Sequence, residues 1–248
     1  MPRHDVIVVG VGGMGSAACY HLARRGVDVL GLERFDVPHN RGSSHGDTRI
    51  FRTAYHEHPD YVPLARVAVE EWRALDAATE RDLLKTTGYV VAGPPESEAV
   101  RGARTSCDAH DIDHETYDGA ELADAVPAFD VPDDYEAVYE AEGGLLRAEE
   151  CVAAHVEGAV AAGGAVRGRE PVESWTETAD GVRVRTDDGT YTADHLVVAA
   201  GAWTDDLVPE LASHLVVERQ VFRWFVPPEP SVFSPERFPT FVLDTGER

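Results

Sequence analysis

Lysine is almost missing from this 248-residue chain: Lys85 is the only one, and every other basic side chain apart from histidine is an arginine. Acidic residues outnumber Lys plus Arg by 45 to 22, for a formal net charge of −23. A surface of that sign repels phosphate backbones and anionic lipid, which excludes nucleic acid and membrane surfaces as partners. Excess carboxylate with so little lysine fits a high-salt cytoplasm, a halophilic setting, where self-repulsion is screened within a Debye length of ~3 Å at about 1 M salt. Cysteine is scarce as well. Cys19, Cys107 and Cys151 are odd in number, widely spaced and form no Cys-x-x-Cys pair, which excludes a disulfide framework and a zinc site and fits a reducing cytoplasm. Tyr55, His56 and His58 have no cysteine or paired carboxylate at ligand spacing, so no metal site is expected there. No apolar run approaches the ~18 residues needed to span a bilayer. The N-terminus lacks a small-residue cleavage pattern, so no secretory signal is read.

What is present reads as a globular α/β chain, 43% hydrophobic, long enough for one large domain or two interleaved ones. Asp5-Val-Ile-Val-Val-Gly10 is a continuous β-branched run that suits a buried parallel strand. Residues 13–25 read as a helix stopped by Gly26, and Val27 to Leu32 as a second strand, closing a βαβ start. Between them, Gly10-Val-Gly12-Gly13-Met14-Gly15 matches G-x-G-x-x-G: one glycine for the tight turn, one for backbone approach to a pyrophosphate, one for close helix–strand packing. Phosphates at such a turn meet the N–H groups and positive dipole end of the helix. Glu33, 23 residues after Gly10, can accept hydrogen bonds from ribose hydroxyls and would repel a 2′-phosphate, which disfavours NADP. The motif alone leaves FAD and NAD open. FAD is favoured by the fingerprint's place at the extreme N-terminus. It is also favoured by a distant apolar segment, His195 to Gly201, read as a buried strand that returns to the same sheet and brings backbone near the cofactor.

The most telling stretch is Ser43-Ser-His-Gly-Asp-Thr-Arg49-Ile-Phe-Arg52. Asp47 or Ser44 can cap a short helix whose two arginines, at (i, i+3), share one face and form a receptor for a carboxylate. On the residues alone, surface salt bridges to Asp47 or Glu57 are the simpler reading. Further along, residues 60–79 predict an amphipathic helix with Leu64, Val67, Ala68, Trp72 and Leu75 inward. Thr87 to Ala92 predicts a strand. Residues 93–135 are more polar, with helical segments broken at Pro127 and Pro132. Another helix runs from Arg147 to Ala162. An antiparallel meander with turns at Asp180-Gly181 and Asp188-Gly189 spans 165–193. Strand character resumes from Leu215, and the chain stops at Asp244-Thr-Gly-Glu-Arg248 as if inside a hairpin, which reads as an N-terminal fragment of a longer protein.

These residues resemble a known family. Asp5 to Gly15, His45-Gly-Asp-Thr-Arg-Ile-Phe-Arg52, Tyr61-Val-Pro-Leu64, Lys85-Thr-Thr-Gly88 and Gly201-Ala-Trp203 are similar to the monomeric sarcosine oxidase and N-methyltryptophan oxidase family, a branch of the D-amino acid oxidase-like flavoproteins. The resemblance implies a Rossmann-like FAD-binding domain, a parallel sheet with an antiparallel meander (1–90 and 147–214). This would interleave with a mixed-sheet substrate domain (91–146 and 215–248), incomplete at its C-terminus. It implies FAD as cofactor, a small amino acid as substrate, a monomer, and oxidation of an N-methyl or cyclic amino acid to an imine with oxygen giving peroxide. An FAD-dependent dehydrogenase using another acceptor, or a non-catalytic FAD-binding module, are the alternatives. By matched motif, Arg52 would bind the substrate carboxylate, Arg49 would favour the charge of reduced flavin, and His45 would line the same face. Ser43, Ser44, Glu33, Arg34, Val172, Gly201 and Trp203 would join Gly10, Gly12, Gly13, Met14 and Gly15 in holding the cofactor. The family's flavin-linking cysteine and oxygen-promoting lysine fall beyond the matched region, and Lys85 matches neither.

Overall fold

The apolar run at the N-terminus forms β1 (Arg3–Val9), and the glycine turn after it opens α1 (Gly13–Arg24) and leads to β2 (Val29–Leu32). In this computed structural model, which describes residues 1–246, the chain continues through β3 (Thr48–Phe51), α2 (Tyr61–Thr79), β4 (Leu84–Thr86), β5 (Tyr89–Gly93), α3 (Glu98–His110), β6 (Glu115–Asp118) and α4 (Gly119–Ala125). It then forms β7 (Glu136–Glu140), β8 (Gly144–Arg147), α5 (Ala148–Ala161), β9 (Ala165–Arg167), β10 (Val172–Thr178), β11 (Gly181–Thr186), β12 (Gly189–Val198), α6 (Thr204–Leu207) and β13 (Thr240–Leu243). Glu247 and Arg248, part of the expected terminal hairpin, lie outside the described residues.

Two compact units emerge. The first comprises Met1–Thr48 with Ala148–Phe222, the second Arg49–Arg147 with Arg223–Arg248. The first crossing thus falls between Thr48 and Arg49, whereas the sequence placed it at residue 90. The reason is that β3, α2, β4 and β5 pair and pack with elements of the second unit.

The first unit holds a six-stranded sheet in the order β10-β11-β12-β1-β2-β9. β1 runs parallel to β2 and to β12, with Val9 opposite Leu32 and Val198. The returning strand therefore lies where the sequence placed it, although Leu196, Val197 and Val198 are half-buried rather than buried. The β10–β11–β12 meander turns at Gly181 and Gly189. Ile7, Val9, Leu30, Leu32, Val184, Tyr191 and Ala193 make its core. On one side α1 lies against α5, where a side chain on Gly158 would strike the Tyr20 ring at 2.6 Å.

The second unit holds a mixed sheet, β13-β5-β7-β6, and a three-stranded sheet, β3-β8-β4. Alternate residues of β5 feed two cores: Tyr89 and Val91 pack with Val100, Ala103 and Cys107, while Val90 and Ala92 pack with Leu122 and Phe129. Two of its helices, α3 and α4, begin at side-chain caps. The Ser97 hydroxyl accepts the Val100 N–H at 3.2 Å, and Asp118 with Glu121 forms a reciprocal capping box.

Three local expectations are corrected. Arg49 and Arg52 do not share a helix: Thr48–Phe51 is a strand, because its β-branched and aromatic residues gain a ladder partner in β8. The inward face of α2 is Val62, Ala65, Val69 and Leu75, leaving Leu64 67% and Val67 55% exposed. The true stripe is offset around the helix, and only Leu75 is common to both. Leu215 to Val226 forms no strand in the described structure; Val216, Phe225 and Val226 are more than 80% exposed, since β-branched composition without a ladder partner does not make a strand.

Candidate functional site

In the first unit, the turn after β1 has the geometry its glycines require. Gly10 has φ +89°, and a Cβ there would lie 2.5 Å from the Ala199 carbonyl oxygen. A Cβ on Gly15 would lie 1.8 Å from the Gly10 carbonyl oxygen. Gly12 differs: nothing but the Ser44 hydroxyl, 3.9 Å away, faces its missing side chain. Two glycines are thus forced by the protein's own backbone, while the third leaves open space at the helix N-terminus, where a phosphate would lie. Gly12 offers no side-chain cap, but the Ser44 hydroxyl accepts the Gly13 N–H at 3.0 Å, so a distant loop caps the helix. Met14 in the first turn is 82% exposed.

Glu33, only 4% exposed, ties that turn to the end of β2. Its carboxylate accepts the Val11 N–H at 2.8 Å and the Phe35 N–H at 3.0 Å, and His39 Nε2 approaches to 3.4 Å. Beyond it, Arg34, Phe35, Asp36, His39, Arg41 and Arg169, among others, line a cavity of about 550 Å³. The Arg34 guanidinium lies 5.0 Å from the Trp203 ring centre and 5.3 Å from that of Phe35. His45 donates Nδ1–H to the Gly42 carbonyl and meets the Phe222 ring edge-on at 5.2 Å. Ser43 and Gly201 are exposed, and Val172 is half-buried at the start of β10.

In the second unit, Arg52 follows β3 and lies over two aromatic faces, 4.6 Å from the Tyr55 ring centre and 5.7 Å from that of Tyr89. Its Nη2 donates to both oxygens of Glu57, at 2.7 and 3.0 Å. Its Nε is buried without a hydrogen-bond partner, and so are the Tyr89 hydroxyl and His56 Nδ1. Burial pushes the Tyr89 hydroxyl up to about 12 despite Arg52, so it is a neutral donor at physiological pH. Burial, then the Arg52 charge, holds His56 below its ordinary value. Arg49 is half-buried in β3. Three buried polar atoms left without partners in this part of the second unit are costly in a folded chain.

A family model described as FAD dependent oxidoreductase, DAO, matches residues 5–248. The chain belongs to this family. Within it, the chain is 42% identical over 247 residues to the monomeric sarcosine oxidase of Streptomyces avermitilis, covering 99% of this chain and 64% of that protein. It is 38% identical over 221 residues to the N-methyl-L-tryptophan oxidase of Yersinia pestis, covering 89% of this chain and 59% of that one. The chain therefore spans under two thirds of the length of these relatives. Among solved structures, the open form of NikD, an unusual amino acid oxidase essential for nikkomycin biosynthesis, superposes with a TM-score of 0.75 at 31% identity, over 85% of this chain and 55% of that one.

The cradle of this DAO-family chain fits FAD, because the space beside Gly12 is open where those beside Gly10 and Gly15 are closed by backbone. Of the expected site residues, the structure gathers Gly10, Gly12, Gly13, Gly15, Glu33 and Ser44 around one turn, and Arg34 with Trp203 beside one another. It places Arg52 on an aromatic platform with Glu57. Sequence reasoning missed Tyr89, Glu140, His39 and Arg169. Glu140 carried a signal: an acidic residue ends a strand whose neighbours Ala137 and Val138 are core.

Proposed function

We propose that this chain is part of an FAD-dependent oxidase acting on a secondary amino acid, N-methylated or cyclic, with the first unit holding the cofactor and the second receiving the substrate. When bound, FAD would take up the two electrons and two hydrogens released as the CH–NH unit becomes an imine, and oxygen would receive them to give hydrogen peroxide. The cradle would hold the cofactor through the α1 N-terminus, Gly12 and Gly13 for the pyrophosphate and Glu33 for a ribose, with the cavity lined by Arg34 and Arg41 beside them.

The observation that carries the substrate reading is Arg52, placed over the Tyr55 ring at 4.6 Å with a buried Nε that has no partner. A guanidinium so held recognises a carboxylate with little loss of side-chain freedom. The neutral Tyr89 hydroxyl supplies a second donor of the kind a carboxylate accepts. Arg49, in the second unit, is the further candidate for positive charge, and His45, in the first, a candidate for lining the cofactor. A small amino acid is the partner, a monomer the expected state, and a saline cytoplasm the expected setting; no helix among the described residues is long and apolar enough to cross a membrane.

The test is peroxide release from sarcosine, N-methyltryptophan, proline and pipecolate by the flavin-loaded protein. Peroxide from at least one supports the reading. Imine formation only with an artificial electron acceptor, and no peroxide, would replace oxidase by dehydrogenase.

A further inference from the structure

Glu140 ends β7 with 1% of its surface exposed, and nothing in the proposed chemistry uses it. Its hydrogen-bond partners are two consecutive backbone amides. Thr53 N–H donates to both carboxylate oxygens, at 2.8 and 3.1 Å, and Ala54 N–H donates to one at 2.9 Å. A carboxylate withdrawn from water survives only where such donors replace its hydration. Those two amides follow Arg52 directly and precede Tyr55, the ring on which Arg52 lies. Glu140 is also the ladder partner of Tyr89, the second ring under Arg52. One buried carboxylate thus fixes the backbone just after the guanidinium's own residue, and its strand fixes one wall of the platform. The rest of the segment is held from α3: Ser106 Oγ donates to the Tyr55 carbonyl, and a Cβ on Gly102 would lie 2.0 Å from the His56 carbonyl oxygen. The Glu140 carboxylate is the side-chain group that holds the Thr53 and Ala54 amides, the two that follow Arg52.

We infer that Glu140 is a positioning residue, whose carboxylate clamps the Thr53 and Ala54 amides so that Arg52 meets the substrate carboxylate at the right height and angle. The inference rests on the reading of Arg52 as the carboxylate receptor. A clamp of this kind matters because recognition by a planar fork is lost with small displacements. Glu140→Gln keeps the shape but puts an NH₂ donor where one carboxylate oxygen stood, so in either amide orientation a donor faces the Thr53 N–H and the loop moves.

The experiment is a double-mutant cycle on the FAD-loaded chain, read by calorimetric dissociation constants rather than turnover. The probes are 2-furoate, a five-ring carboxylate with no oxidisable CH–NH bond, and 2-furamide, its neutral counterpart. Glu140→Gln is expected to weaken 2-furoate about tenfold, to leave 2-furamide and flavin content unchanged, and to add nothing once Arg52→Ala is present. Equal loss for both probes, or a further loss in the Arg52→Ala background, would mean that Glu140 serves the fold alone and overturns the inference. So would unchanged 2-furoate binding in the single variant. If Arg52→Ala by itself leaves 2-furoate binding intact, the receptor reading fails first and this inference falls with it, a result distinguishable from failure at Glu140. Should Glu140→Gln not fold, Glu140→Asp, which draws the carboxylate back by one methylene, is expected to give the same selective loss; a loss shared by both probes overturns the clamp.

Discussion

Arg52 donates through Nη2 to both carboxylate oxygens of Glu57, at 2.7 and 3.0 Å. An internal carboxylate therefore occupies one end of the guanidinium proposed to receive an external one. Burial raises the Glu57 carboxyl, but its backbone hydrogen bond and Arg52 outweigh that and hold it below its ordinary value, so the pair is intact at neutral pH. Glu57 is 48% exposed, and pairs of this exposure contribute about 0.2–1 kcal/mol. Glu57→Gln is thus expected to lower the KM for the amino acid about two- to fivefold with kcat nearly unchanged. A raised KM in steady-state assays would show that Glu57 assists substrate binding instead of competing with it.

The two kinds of fingerprint glycine separate cofactor binding from folding. Gly12→Ala adds a methyl group into open space, so the apoprotein's Tm stays within a degree or two while FAD affinity falls. Gly15→Ala drives a methyl group into the Gly10 carbonyl and is expected to cost stability itself, about 1–3 kcal/mol by the usual penalty for overpacking. Calorimetric melting with and without FAD distinguishes them; equal loss of apoprotein stability in both variants contradicts the assignment of Gly12 to the ligand.

His155 on α5 gives the fold an acid-sensitive joint. It meets Ser16 of α1 at 3.4 Å and packs against Tyr20 and His21. Burial, with the neighbouring His21 charge, pushes its pKa down to about 4 from 6.5. The folded chain holds this ring neutral, whereas the unfolded chain protonates it near 6.5. Its contribution is therefore present above pH 6.5 and lost as pH falls toward 4, a span on the order of 3 kcal/mol. Between pH 7 and 5 the Tm should fall less in His155→Leu than in the parent. Parallel slopes would remove His155 from the acid response.

The net charge of −23 predicts a salt response. Molar KCl screens self-repulsion over distances beyond ~3 Å, so Tm should rise steadily from dilute buffer to about 2 M KCl. A flat profile would mean that the acidic surface is only a solubility device.

Much of the first unit was legible in the sequence, because a parallel sheet writes itself as β-branched runs and its turn as spaced glycines. β1, α1, β2, the meander and the return beside β1 all followed from residues that local sterics constrain. The second unit was harder to read. The run Thr48 to Phe51 contains enough polar and glycine context to suggest a capped helix, but a partner 93 or more positions downstream in β8 makes it a strand. The inward stripe of α2 depends on which neighbours it meets, which periodicity alone leaves open. Leu215 to Val226 has strand composition and no ladder. At the site, Glu33 was found through its spacing from the fingerprint, whereas Glu140 acts through backbone amides 86 and 87 positions away, a distance at which no motif reports it.

Arg52 is the residue proposed to bind the carboxylate of an amino acid oxidised by bound FAD. The measurement is steady-state peroxide formation by Arg52→Ala, with flavin content determined on the same samples. Flavin content should be unchanged and KM raised at least tenfold, as expected when a charge-assisted hydrogen bond of about 1.5–3 kcal/mol is removed. An unchanged KM with full flavin content would contradict that role for Arg52.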